Sequence, residues 1–184
     1  MTQIKSKARV RDLAEVYTAK REVNAMLDLL KDESYRIDSK FLEPACGNGN
    51  FLEEIVRRKL KTVVDISKND DELFLFTIKA ITSVYGVDIC NENCEESRKR
   101  IVSVVSDCVN IPEKINNAIK NIVEQNIVVG DTINKPEKII FTEYIFDGDM
   151  VTCKYWNFGD IVNQTSLFDL EPFLVETPTH YSKL

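Results

Sequence analysis

The sequence predicts an α/β protein, with a parallel sheet between helices and a C-terminal β-hairpin. Three observations predict it. Short apolar runs that end in an acid (Phe41-Leu42-Glu43, Val84-Tyr85-Gly86-Val87-Asp88 and Ile127-Val128-Val129-Gly130-Asp131) alternate with stretches whose apolar residues recur at helical spacing. Strands separated by helices give a parallel sheet covered on both faces. Farther on, the β-rich runs 139–146 and 150–156 flank Asp147-Gly148, a hairpin turn signal.

In chain order, residues 1–18 form a polar, basic lead-in with Lys5, Lys7, Arg9 and Arg11. Val23, Met26, Leu27 and Leu30 predict a helix over 20–31, and 32–40 is a polar connector. After the first strand comes a loop with Gly47 and Gly49. A helix over 51–60 follows, with Phe51, Leu52, Ile55, Val56 and Leu60 on its apolar face. Asp70-Asp71-Glu72 suits a helix start, and Leu73, Phe74, Thr77, Ile78 and Ile81 line that helix. Beyond the second strand, Asn91 or Asn93 caps a helix that buries Cys94, Ile101, Val102 and Val105. Its exposed side carries Glu92, Glu95, Arg98, Lys99 and Arg100. Pro112 opens the next helix, whose stripe is Ile115, Ala118, Ile119, Ile122 and Val123. From 163 to 184 periodicity fades and Pro172 and Pro178 intervene, which reads as a tail. The expected organisation is therefore one domain over 1–160 and a tail over 161–184.

Composition narrows the function classes. An apolar share of 43% suits a globular core, and a net charge of −6 argues against gripping DNA by bulk electrostatics while leaving room for a local basic face. Cys46, Cys90, Cys94, Cys108 and Cys153 form an odd set without paired spacing, which reads as thiols in a reducing cytosol. Cys90 and Cys94 share a helical face, but His180 is the only histidine and no metal set assembles. No apolar leader or membrane-length run is present, so a cytoplasmic protein without membrane contact is expected.

In a parallel sheet the ligand sits beyond the carboxyl ends of the strands, where Glu43, Asp88 and Asp131 all fall. The Gly47/Gly49 loop lets a ligand approach the backbone and leads into a helix N-terminus with unpaired N–H groups. An acid at the second strand end accepts from ribose hydroxyls, and one past the third from an adenine amino group. One before the glycine loop helps hold an ammonium. Adenosine carrying an amino-acid tail, which is S-adenosylmethionine, would use all three; a dinucleotide would use some.

The stretch Leu42-Glu43-Pro44-Ala45-Cys46-Gly47-Asn48-Gly49-Asn50-Phe51 resembles the Pro-Ala-Cys-Gly-x-Gly-x-Phe motif I of the N6-adenine DNA methyltransferases of restriction–modification systems. Glu15-Val16-Tyr17-Thr18 is similar to that family's motif X, with Ala19 in place of its proline. Tyr85-Gly86-Val87-Asp88-Ile89 resembles motif II, and residues 126–131 resemble motif III. The resemblance runs over about residues 12–132 in the family's order. It implies a Rossmann-like methyltransferase fold that binds S-adenosylmethionine. Tyr17 and Thr18 would meet the methionine part, and Glu43, Ala45, Gly47 and Gly49 would line the amino-acid end. Asp88 would take the ribose, Ile89 would pack on the adenine, and Asp131 would hold its amino group.

The family's catalytic Asn/Asp-Pro-Pro-Tyr/Phe motif has no counterpart, because the chain contains no Pro-Pro. Near its expected place stand Glu143, a candidate acceptor for the target amino group, and Tyr144, a candidate to stack on a flipped base. In the tail, Gln164-Thr165-Ser166-Leu167-Phe168 resembles the Gln-x-Ser/Asp-Leu-Phe peptide that binds the bacterial sliding clamp, with Gln164, Leu167 and Phe168 as anchors. The expectation is a DNA adenine-N6 methyltransferase-like protein of a bacterial, phage or mobile-element setting, needing a partner for target recognition. The rival is a catalytically silent cofactor-binding accessory protein that acts on DNA through the clamp.

Overall fold

The computed structural model describes residues 18–163 and 170–184. Its centre is a parallel sheet of β1 (Phe41–Glu43), β2 (Val84–Asp88) and β3 (Ile127–Val129), in the order β1-β2-β3. Phe41 pairs with Val84, and Gly86 pairs with Ile127. Each crossover is a pair of helices: α3 (Asn50–Ile66) and α4 (Asp70–Thr82), then α5 (Asn91–Cys108) and α6 (Glu113–Asn126). They are preceded by α1 (Lys20–Asp28) and the short α2 (Lys31–Tyr35), which lies where a plain connector was expected. In α1 only Val23 and Leu27 of the expected stripe are buried, while Met26 and Leu30 are exposed. The start of α4 is built as its sequence suggests. Asn69 accepts from Glu72 N at 2.9 Å, Glu72 accepts from Lys68 N at 2.9 Å, and the acids of the first turn meet the positive helix end.

The sheet does not lie between two helical layers. The helices pack on one face, where Val84 and Ile127 join Leu52, Ile55, Ile78, Ile101, Ile119 and Ile122 in the main core. A Cβ at Gly86 would lie 2.7 Å from Leu52 Cδ1, so the glycine lets α3 seat against β2. The other face carries Tyr85 and Val87 and is covered by Ile139, Phe141 and Phe158. The handedness of the crossovers explains this. Strands added in one direction by right-handed connections put every helix on the same side, and only a reversal of direction would cover the other. The chain crosses that second face instead with the hairpin β4 (Ile140–Asp147) and β5 (Met150–Asn157). Phe141 stands edge-on to Tyr85 and Phe158, with ring centroids 5.6 and 5.2 Å apart, and Tyr85 Oη donates to Thr142 O at 2.8 Å. Gly148 turns the hairpin at φ +56°.

After α7 (Phe158–Asn163), the described part of the expected tail returns to the fold. β6 (Leu174–Val175) pairs with Lys154 and Tyr155, and β7 (Thr179–His180) pairs with Met150 and Val151. Tyr181 and Ser182 are buried, and Asn121 Nδ2 donates to Leu184 O at 2.9 Å. Two-residue strands are too short to leave a period in the sequence. The clamp-like residues Gln164, Leu167 and Phe168 lie outside the described residues. Among the described residues no helix is long and apolar enough to cross a membrane.

Two cations on α3 fix the entry into β1. Lys59 is 0% exposed, and its ammonium donates to Arg36 O and Ile37 O at 3.0 Å, Ser39 O at 2.6 Å and Ser83 Oγ at 2.7 Å. Arg58 is also buried and reaches Asp28 at 2.7 Å and Glu54 at 3.3 Å. The connector 36–39 is thereby tied to α3 and to the end of α4.

Candidate functional site

The loop after β1 is held from below. Cys46 N donates to Val87 O at 2.8 Å, and Gly49 N donates to Cys46 O at 2.9 Å. Gly47 and Gly49 sit at φ +52° and +86°, the left-handed region that glycine enters without strain. Gly49 has a packing reason as well. A Cβ there would lie 2.9 Å from Ser97 Cβ and 3.0 Å from Ser97 Cα, so the start of α3 rests directly on α5. Gly49 is buried, Gly47 is half-buried and Ala45 is exposed.

Asp88, at the carboxyl end of β2, organises the loop. One carboxylate oxygen accepts from Gly47 N at 2.8 Å; the other accepts from Cys90 N at 2.8 Å and Asn93 Nδ2 at 3.2 Å. Its half-exposed carboxylate joins the glycine loop to the start of α5 and keeps lone pairs for a further donor. Ile89 beside it is 63% exposed. Glu43 is half-buried; burial raises its pKa, against the Ala45 N–H at 3.4 Å, which lowers it. At the end of β3, Asp131 closes a turn on Asn134 Nδ2 at 2.8 Å, Asn134 N at 2.9 Å and Ile133 N at 3.1 Å. The Asn134 bonds, side chain first, hold its pKa below the ordinary value.

Thr18 is brought to the same place. Its carbonyl accepts from Asn50 Nδ2 at 3.0 Å, and Asn50 Oδ1 accepts from Arg100 Nη1 at 2.8 Å. Arg100 also pairs with Glu96 at 2.8 Å, and Arg98 donates to Ile127 O at 2.9 Å at the end of α6. Neither arginine is the solvated charge that helical periodicity predicted. Tyr17 lies outside the described residues. Thr132 Oγ1 donates to Pro44 O at 3.4 Å, which links the segment after β3 to the glycine loop. Asn50, Arg100, Thr132 and Ile133 (86% exposed) were not picked out as site residues from the sequence. Only Asn50 carried a signal, as a side-chain amide at the first turn of the loop's helix.

Glu143 and Tyr144 are placed differently. Adjacent residues on a strand point to opposite faces. Glu143 accepts from Lys40 Nζ at 2.8 Å and Trp156 Nε1 at 3.1 Å, in a cavity of about 520 Å³ lined by Phe41, Leu42, Tyr85, Phe141 and Trp156. Burial raises its pKa, but the Lys40 hydrogen bond and charge outweigh that and leave it lowered. Tyr144 is 9% exposed in the main core, and its hydroxyl donates to Gln125 Oε1 at 3.1 Å or Asn126 Oδ1 at 3.2 Å. Its ring has no open face for a stacked base. The structure therefore gathers Thr18, Glu43, Ala45, Gly47, Gly49, Asp88, Ile89 and Asp131 around the carboxyl ends of the sheet. It does not bring Glu143 and Tyr144 together. Among the described residues, no cluster of histidine, cysteine and acids could hold a metal ion.

Comparison with protein-family models, curated proteins and solved structures returned no match.

Proposed function

We propose that the chain is a Rossmann-like domain that binds S-adenosylmethionine and belongs with the DNA adenine-N6 methyltransferases of bacterial or phage modification systems. The observation that carries this reading is the glycine loop whose Gly47 N–H is held by Asp88, with Thr18, Glu43 and Asp131 around it. The charge of this rim selects among nucleotides. Three carboxylates repel the phosphates of a dinucleotide and attract a ligand that carries a sulfonium and an ammonium. Exposed Ile89 and Ile133 offer apolar surface to an adenine.

Methyl transfer would proceed by in-line attack of a flipped adenine's N6 on the cofactor methyl group. The groups that hold the base would come from a partner that also selects the target. Tritiated S-adenosylmethionine tests this. Label should pass to DNA when the cognate partner is present, and absence of transfer with every candidate partner would sink the enzyme reading.

The burial of Tyr144 favours a second reading, a cofactor-binding accessory protein without turnover that meets DNA through the sliding clamp. That reading expects the chain to co-elute with clamp and to lose it on Phe168→Ala; equal retention of both proteins would contradict it.

A further inference from the structure

The cavity around Glu143 belongs to neither functional reading. Its volume of about 520 Å³ lies in the range of small-molecule sites. Two sheets build the walls. Leu42 and Tyr85 are register partners across β1 and β2, and Phe141 and Trp156 are register partners across β4 and β5. Ile161 of α7 adds to the apolar lining. The polar groups of the aromatic walls are already spent. Tyr85 Oη donates to Thr142 O at 2.8 Å, and Trp156 Nε1 donates to Glu143 Oε2 at 3.1 Å. What remains for a ligand is the Lys40–Glu143 pair, the two charged side chains among the described lining residues. The Lys40 ammonium has three N–H donors and spends one on Glu143 Oε1 at 2.8 Å. Each Glu143 oxygen takes one donor and keeps a lone pair, and the side chain is 30% exposed, so a ligand can reach it. The pair therefore presents an acceptor beside a donor, with its charges balanced, in an aromatic-lined cavity.

We propose that this cavity binds an uncharged, planar heterocycle whose edge carries an N–H donor next to an oxygen or nitrogen acceptor. The ligand N–H donates to Glu143, its acceptor receives from the Lys40 ammonium, and its ring lies among Tyr85, Phe141 and Trp156. Each part of that description has a physical reason. A cation would meet the Lys40 charge and an anion the Glu143 charge, so a neutral ligand fits a balanced pair. Aromatic walls favour a flat ring, offset or edge-on to them. A saturated apolar occupant would strip water from the free donor and acceptor and give them no partner.

The site lies on the sheet face that carries Tyr85, opposite the main helical core, and does not rest on the S-adenosylmethionine reading. Lactams and nucleobases both carry such an edge, so the same chemistry reaches the cavity as a free molecule or as a base in a nucleic-acid strand.

Trp156 is the chain's only tryptophan and stands in the wall, so its fluorescence reports occupancy. The titrant is isoquinolinone, a neutral bicyclic lactam, and the control is its N-methyl derivative, which lacks the donor. The lactam should quench Trp156 saturably. The N-methyl compound should bind about tenfold more weakly, because it forfeits a hydrogen bond to a charged acceptor. In Glu143→Gln that gap should shrink, since an amide oxygen accepts without charge. Equal quenching by the two compounds on the wild type, or none by the lactam, would overturn the proposal. So would an unchanged gap in folded Glu143→Gln, which would put the lactam elsewhere. Free cytosine and a single strand of deoxycytidines then compete with the lactam in separate arms. Displacement by cytosine alone assigns the site to a free heterocycle, displacement by the strand assigns it to a nucleic-acid base, and displacement by neither counts against the proposed edge. Calorimetry with S-adenosylmethionine is read separately: cofactor heat without lactam binding removes this site alone, and lactam binding without cofactor heat removes the cofactor reading alone.

Discussion

Lys59→Met is expected to lose about 1–3 kcal/mol of stability, because it removes a donor shared by four neutral acceptors. Methionine is of similar length and fills the space, so packing changes little. The three carbonyl oxygens of Arg36, Ile37 and Ser39 and the Ser83 hydroxyl lose their common donor inside the protein. These part-buried acceptors lose a charged donor, although Ile37 O keeps the Ser83 hydroxyl at 3.0 Å. A second measurement separates this from cavity effects. Burial pushes the Lys59 pKa down to about 7 from an ordinary 10.5, with the Arg36 charge adding to it and Asp38 and Glu33 opposing. Between those values the unfolded chain holds a proton that the folded chain does not. Stability in the wild type therefore rises with pH from about 7 toward 10.5 and is level below. Urea titrations across that range should show the rise in the wild type and not in Lys59→Met. An unchanged midpoint in the variant would mean that the connector 36–39 is held by something else.

Gly49→Ala is expected to lose about 2–5 kcal/mol, the sum of about 1–2 for a side chain in the left-handed region and about 1–3 for overpacking. At φ +86° any Cβ is strained, and here it would press on the α5 backbone at Ser97 Cα as well as on a side chain. Relief requires α3 and α5 to separate, which also displaces Asn50 from Thr18 and Arg100. The substitution should therefore lower the unfolding midpoint and abolish ligand binding together. An alanine variant with wild-type stability would show that the start of α3 does not rest on α5 as described.

What was legible in the sequence follows from where burial and local chemistry act. Val84–Asp88 could be read as a strand because its first four residues are buried, leaving an unbroken apolar run. Asp70-Asp71-Glu72 announced α4, and Asp147-Gly148 announced the hairpin. The convergence of Glu43, Asp88 and Asp131 followed from parallel topology alone. What stayed hidden depends on three dimensions. The hairpin's cover over Tyr85 and Val87 depends on the direction in which crossovers add strands. Lys59 lies on α3 beside charged Arg57 and Arg58, and nothing local marks it as the one that is fully enclosed. Glu143 and Tyr144 teach a sharper lesson: once residues 140–147 are read as a strand, neighbours in it point to opposite faces, and the two side chains stand apart.

The resemblance to adenine methyltransferases sits on the half of the molecule that is best built for a ligand. The glycine loop, the Asp88 bridge and the Thr18 contact are mutually bonded, whereas the region after β3 is used to cover the sheet. A methyl donor site without its own acceptor residues is the physical content of both functional readings. They part only over whether a partner supplies the rest.

Calorimetric titration of the chain with S-adenosylmethionine tests that common claim most directly. The account predicts a saturating heat at one ligand per chain for the wild type. It predicts binding at least about tenfold weaker for Asp88→Ala, which loses the acceptor for Gly47 N, Cys90 N and any ribose hydroxyl. Equal heats for the two folded proteins, or none for the folded wild type, would contradict it.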